Sequence, residues 1–290
     1  MFLNYLKTAF RMMVRQKLPA FINITGLAVG LASALFIFMY IYDEIQYDKY
    51  HEHRETVFRV IGNTFRHTEY SSSQPAVLLP YLLNNIPEVE RGVRFQVHSS
   101  GLVSRGDKTH TEKNWVMADS CVFELFTWPL LRGNPKTALT EPYTIVITTE
   151  MAEKYFGDED PMGQTLRYDN AIDFVVTGII APIPAQSHFD VRFLASMSSM
   201  ETINPHLMTD WGNHGVVMYL KLHPLDDPDY VSQRVSEEYW LARTNGKSNT
   251  STTEGPEMKL KLQSLADIYL GSGDIQQLQG TYNSGNRTYL

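Results

Sequence analysis

The sequence predicts an α+β fold in which one N-terminal helix able to cross a bilayer precedes a split βαβ domain with an inserted, mostly β subdomain. Three observations predict it. Residues 22–42, INITGLAVGLASALFIFMYIY, contain no charged side chain. Two strand-helix-strand patterns lie far apart, at residues 56–97 and 216–262. Between them runs a block of short strand signals and turns, which a single continuous domain would not place there.

Phe2, Leu6, Phe10 and Met13 recur at helical spacing, and Lys7, Arg11 and Arg15 recur every fourth residue on another face. This predicts an interfacial helix over 1–20, lying along the inner leaflet of a bilayer with its basic face toward anionic lipid or a cytosolic partner. Pro19 is expected to mark the turn into a spanning helix over 21–42. Twenty-one residues at 1.5 Å each reach roughly 31 Å, about the thickness of the hydrocarbon core. Ten of them are Leu, Ile, Phe or Val, which favours insertion by roughly 3 to 6 kcal/mol. Lys7, Arg11, Arg15 and Lys17 precede the span, whereas Asp43, Glu44 and Asp48 follow it. The positive-inside rule therefore puts the N-terminus in the cytoplasm and the residues after 42 outside it. A signal peptide has a shorter apolar run and a small-residue cleavage site, but this run ends in Tyr40, Tyr42 and Asp43. Gly26 and Gly30 form a GxxxG spacing that would admit a second helix, although such pairs are common by chance.

Removing the first 42 of 290 residues leaves 248, enough for one large domain or two smaller ones. Their formal charge is −11, the overall −7 less the +4 of the first 20 residues. That argues against a broad electrostatic grip on nucleic acid. Cys121 is the single cysteine and can form no internal disulfide, so packing alone must hold the domain. It reads as a small buried hydrophobe.

The remaining elements follow in order. Residues 56–61, TVFRVI, read as a strand and 77–85 as a helix that tolerates Pro80 in its first turn and ends before Pro87. Residues 89–97 return as a strand. In the inserted block, 144–148 (TIVIT) read as a buried strand. Thr149 is expected to cap a short helix that pairs Met151 with Tyr155 and Ala152 with Phe156 before Gly157 stops it. Residues 174–180 supply a further strand. At 216–222, Val216, Met218, Leu220 and Leu222 share one face. Asp227 then caps a helix with Pro228 at its first position and Val231, Val235 and Tyr239 on its apolar side. A final strand alternates Met258, Leu260 and Leu262 with Lys259 and Lys261, after a Ser/Thr/Gly-rich loop at 244–256.

A search for chemistry returns no catalytic, cofactor-binding or metal-ligating residue. Gly246, Lys247 and Ser248 resemble the end of a phosphate-binding loop, but Leu241 stands where its first glycine belongs. His51 and His53, in HEHRE, read as a solvated juxtamembrane segment lacking further ligands. Asp158, Glu159 and Asp160 fall in a turn after Gly157 and read as solvated surface. There is no HExxH and no GxSxG.

Three separated runs carry a resemblance. ADSCVFELFTWPLLRGNPKTAL (118–139), IVITTEMAEKYFGDEDPMGQTL (145–166) and FVVTGIIAPIPAQSHFD (174–190) resemble the periplasmic core domain of MacB-like ABC transporter permeases. IPEVE (86–90) and LQSLADIYL (262–270) fit the same family in the same order. The resemblance implies a permease of MacB or FtsX type in a bacterial inner membrane. Residues 43–98 and 189–290 would form a porter-like βαβ subdomain, and 99–188 the inserted β-rich one. It also implies ATP hydrolysis on a separate cytosolic ABC ATPase, a second permease copy as partner, a periplasmic adaptor protein, and a role in export or mechanotransmission. No cofactor of its own is implied. The sequence ends at GNRTYL, where that family's second membrane helix would begin, so a truncated permease or a fragment is expected. The alternatives are a membrane-anchored periplasmic sensor, which would need more cytosolic sequence than some 20 basic residues, and a periplasmic enzyme, which would need a convergent polar site.

Overall fold

The computed structural model describes residues 2–63, 69–244 and 259–277 and divides the chain into two compact units at Gln46/Tyr47. The first holds α1 (Phe2–Arg15) and α2 (Lys17–Glu44). The helices break at Gln16 (φ −109°, ψ 66°) and not at Pro19. Pro19 instead lies in the first turn of α2, where a missing N–H has no helical acceptor to lose. No described α2 side chain is buried, and the helix is long and apolar enough to cross a membrane. Its Ser33 Oγ donates to Val29 O at 2.9 Å, so the hydroxyl's donor is satisfied within the helix, as a membrane crossing would require.

The second unit is built on one sheet. Its first part contains β1 (Val57–Asn63), the short β2 (Tyr70–Ser71) and β3 (Ser73–Gln74), α3 (Leu78–Asn85) and β4 (Val89–Arg105). Next come β5 (Lys108–Ala118), α4 (Val122–Leu125), β6 (Leu130–Arg132), β7 (Thr144–Thr148), α5 (Thr149–Phe156), β8 (Thr165–Tyr168) and β9 (Ile172–Ile180). The chain returns through β10 (Phe193–Ser196), α6 (Met200–Ile203) and α7 (Pro205–Thr209) to β11 (Val216–Leu222) and α8 (Pro228–Thr244). β12 (Leu260–Ser264), α9 (Ile268–Gly271) and β13 (Ile275–Gln276) complete it.

β1 and β4 both pair antiparallel with β11, so they are parallel to each other and α3 is their crossover. By the same logic β11 and β12 flank β1, with α8 as crossover. The two βαβ units thus interleave in the order β12-β1-β11-β4, the split arrangement expected from the sequence. From β4 the sheet continues through β5, β10, β7 and β9 to β6. β4 is longer than the predicted 89–97 because its polar second half, HSSGLVSR, is held by a hairpin with β5 out to Arg105–Lys108.

Each face of the split βαβ sheet has its own core. Phe58, Val60, Met218 and Leu220 meet Leu78, Leu79 and Leu82 of α3 and Val231, Val235 and Tyr239 of α8. A β-carbon at Gly92 would collide with the Leu79 side chain, so glycine there admits α3 close to β4. On the other face Val57, Phe95, Val217 and Tyr219 meet Phe126, Trp128 and Phe189. β11 is therefore buried on both faces, which single-face alternation did not anticipate. The α5 cap is Thr148, whose side chain accepts from Met151 N, and not Thr149, because Thr148 is the last residue with extended backbone. Asp227 Oδ1 accepts from Asp229 N at 3.0 Å, as its capping role requires. Residues 245–256 of the predicted loop and Met258 lie outside the described residues.

Candidate functional site

The lead-in segment, residues 47–52 (YDKYHE), connects the first unit's sequence to β1 and is fixed by buried polar groups. Asp48 takes a left-handed backbone (φ +57°), a conformation Asp adopts more readily than most residues. This turns its amide toward Gln186 O (2.9 Å) and its carboxylate into the interior. Oδ1 accepts from Ser187 Oγ (3.3 Å) and His188 N (3.2 Å), and Oδ2 lies 2.8 Å from His188 Nδ1. The carboxylate thus meets the His188 ring at Nδ1 through Oδ2, while its hydrogen bonds run through Oδ1. Nε2 of that ring then meets the Tyr219 hydroxyl at 2.8 Å. Asp48, His188 and Tyr219 form one relay from the lead-in segment to the central strand β11, and all three are buried.

Neighbouring contacts widen the joint. Tyr50 donates to Ser187 Oγ at 3.0 Å, and burial pushes its phenol up to about 12. Thr127 N donates to His51 Nδ1 at 3.1 Å, while Glu52 N donates to Thr127 Oγ1 at 3.0 Å. Tyr47 stacks on Tyr269 of α9 with ring centroids 3.4 Å apart. The lead-in segment is thus tied to three stretches far away in sequence, 126–128, 186–189 and 269. Such long-range closure fixes it as part of the folded body and not as a hinge loop.

His51 corrects the sequence reading. It is 2% exposed and not solvated, because Tyr50, Phe126 and segments 126–128 and 186–189 close around it. Burial, outweighing Asp48, lowers its pKa to about 4. His53 is only partly buried, and among the described residues no group of three His, Cys, Asp or Glu could hold a metal ion. Asp158, Glu159 and Asp160 are exposed as expected, with Glu159 paired to Arg105 and Asp160 to Arg132. Gly246, Lys247 and Ser248 lie outside the described residues. Gly26 and Gly30 both fall on α2.

Cys121 is half-buried and donates to Gly92 O at 3.2 Å, and burial raises its thiol to about 12. Alkylation at pH 8 should accordingly run on the order of 10²- to 10³-fold slower than for a free cysteine, measured by mass spectrometry of the intact chain. Rapid alkylation would show that the thiol is not shielded.

Asp48, Ser187, His188 and Tyr219 were missed as a group. The available signal was Asp48 set between Tyr47 and Tyr50, together with the polar pair Ser187–His188 beside Phe189.

Residues 20–238 match the MacB-like periplasmic core domain family. The fold is similar to a solved domain described as that of a permease protein from Porphyromonas gingivalis, with a TM-score of 0.60 and 20% identity over 74% of this chain and 92% of that one. It is also similar to the periplasmic region of MacB from Actinobacillus actinomycetemcomitans, with a TM-score of 0.50 and 16% identity over 73% and 90%. Among curated proteins there is no match.

Proposed function

Because the chain belongs to the MacB-like periplasmic core domain family, found in ABC-type transporter permeases, we propose that it is the membrane subunit of a MacB- or FtsX-type ABC transporter. In this reading ATP hydrolysis on a separate cytosolic ABC ATPase changes the packing of the membrane helices. The periplasmic unit converts that change into a levered motion serving export or mechanotransmission, between a subdomain of residues 43–98 and 189–290 and an inserted one of residues 99–188. A second permease copy and a periplasmic adaptor protein complete the assembly. The N-terminus is cytoplasmic and the residues after 42 are periplasmic, in a bacterial inner membrane.

The observation that carries the reading is the Asp48–His188–Tyr219 relay. Asp48 follows the last residue of α2, Glu44, by four residues, a reach of at most roughly 14 Å. Any displacement of that helix end larger than this slack is passed to a buried, hydrogen-bonded joint and not absorbed in a linker. Coupling then needs two arrangements of the joint or of the bodies it connects, each with its own contacts.

Paired spin labels on the two subdomains of the full permease, reconstituted with its ATPase, test the reading. Their separation is expected to change between nucleotide-free and ATP-bound states. An unchanged distance distribution would remove the levering mechanism.

A further inference from the structure

The joint contains a buried histidine that the relay itself does not use. His51 Nδ1 accepts the Thr127 amide proton, so in the neutral ring the proton sits on Nε2, which faces Asp48 Oδ1 at 3.9 Å. A second proton can enter only at Nδ1. There it meets a backbone N–H head-on and turns an attraction into a repulsion. The Thr127 contact is therefore compatible with the neutral ring alone.

We propose that His51 is an acid-operated release within the joint: protonation at Nδ1 expels the Thr127 amide and frees the lead-in segment from residues 126–128, leaving the sheet intact. The titratable groups facing His51 are Asp48 and Tyr50 from its own segment and His188 from 186–189. Segment 126–128 faces it with the Phe126 ring and the Thr127 amide, neither of which titrates. Asp48 favours the charged ring, His188 opposes it, and burial opposes it most strongly. The charge gained on protonation is therefore released by exposing the ring to water.

The sign follows from linkage. A histidine held at about 4 in the folded joint, against 6.5 in water, binds protons better once released. The closed joint is fully favoured above about pH 6.5 and loses ground as pH falls toward 4. The released fraction should rise on the order of 100-fold across that window.

This inference rests on the reading of the joint as the transmitting element, but its test needs neither nucleotide nor transport. Amide hydrogen exchange in the full chain in nanodiscs, corrected for intrinsic rates, would follow Thr127 and Glu52 between pH 7 and pH 4.5, with Val217 of β11 as the core reference. We expect local opening at Thr127 and Glu52 to grow with acid while Val217 stays protected. His51→Asn preserves an acceptor for the Thr127 amide and cannot titrate, so its opening should be independent of pH. Acid-induced opening that persists in His51→Asn, that is absent from the wild type, or that reaches Val217 equally would overturn the proposal. Should His51→Asn not fold, an NMR titration of isotope-labelled His51 decides: a midpoint near 6.5 with Thr127 still protected would contradict it. An unchanged subdomain distance with ATP would leave this device standing, and an absent pH response would leave the transport reading standing.

Discussion

Asp48→Ala should cost the periplasmic unit about 3 to 5 kcal/mol, because each buried donor left without an acceptor costs about 1 to 3 kcal/mol. The loss is large because Oδ1 accepts from both Ser187 Oγ and His188 N and Oδ2 lies 2.8 Å from His188 Nδ1, and alanine removes every one of these contacts inside the core. Alanine also tolerates the left-handed backbone at φ +57° poorly, which adds about 1 kcal/mol. Asp48→Asn keeps an acceptor oxygen and accepts that backbone, so its cost should be smaller, about 1 to 3 kcal/mol. Urea denaturation of the full chain in detergent, followed by tryptophan fluorescence, separates the two variants. Equal losses would mean that the charge on Asp48 contributes nothing.

Phe95→Ala is the second large effect. The ring is fully buried and meets Phe126, Trp128, Phe189 and Tyr219 with centroids between 5.1 and 6.1 Å. Truncation removes the side chain's transfer energy and leaves a cavity among rigid rings that cannot collapse, a loss of about 3 to 5 kcal/mol. Phe95→Leu refills part of the space and should cost about half as much. Because Phe126, Trp128 and Phe189 belong to the same stretches that hold the lead-in segment, Phe95→Ala should also loosen the joint. The thermal midpoint and the protection of the Thr127 amide are expected to fall together. A fall in midpoint with Thr127 unchanged would show that core and joint are uncoupled.

The parts of the fold with a regular period were legible in the sequence. β7 falls on the predicted 144–148 and β11 on 216–222, because compact β-branched runs leave little ambiguity of type or length. The helix from Pro228 was readable from its cap and from the four-residue spacing of Val231, Val235 and Tyr239. The second half of β4 was not, since a polar run becomes a strand only when a hairpin partner pairs with it. His51 was misjudged for a related reason. In HEHRE every neighbour is polar, and the groups that bury the ring come from residues 126–128 and 186–189, which no local window contains. Asp48 was weighed only for its charge after the membrane span, whereas its left-handed backbone and inward carboxylate depend on Gln186 and His188. The joint is a product of tertiary closure, and the sequence supplies only its pieces.

Native-state hydrogen exchange at the amides of Asp48 and His188, in the full chain at pH 7, tests the central claim most directly. If the segment leaving the membrane helix is built into the periplasmic body, both amides will open with the same free energy as Tyr219 in the middle of β11. Exchange at the rate of an unprotected loop, with Tyr219 still closed, would show a flexible tether in its place, one unable to carry force from helix to domain.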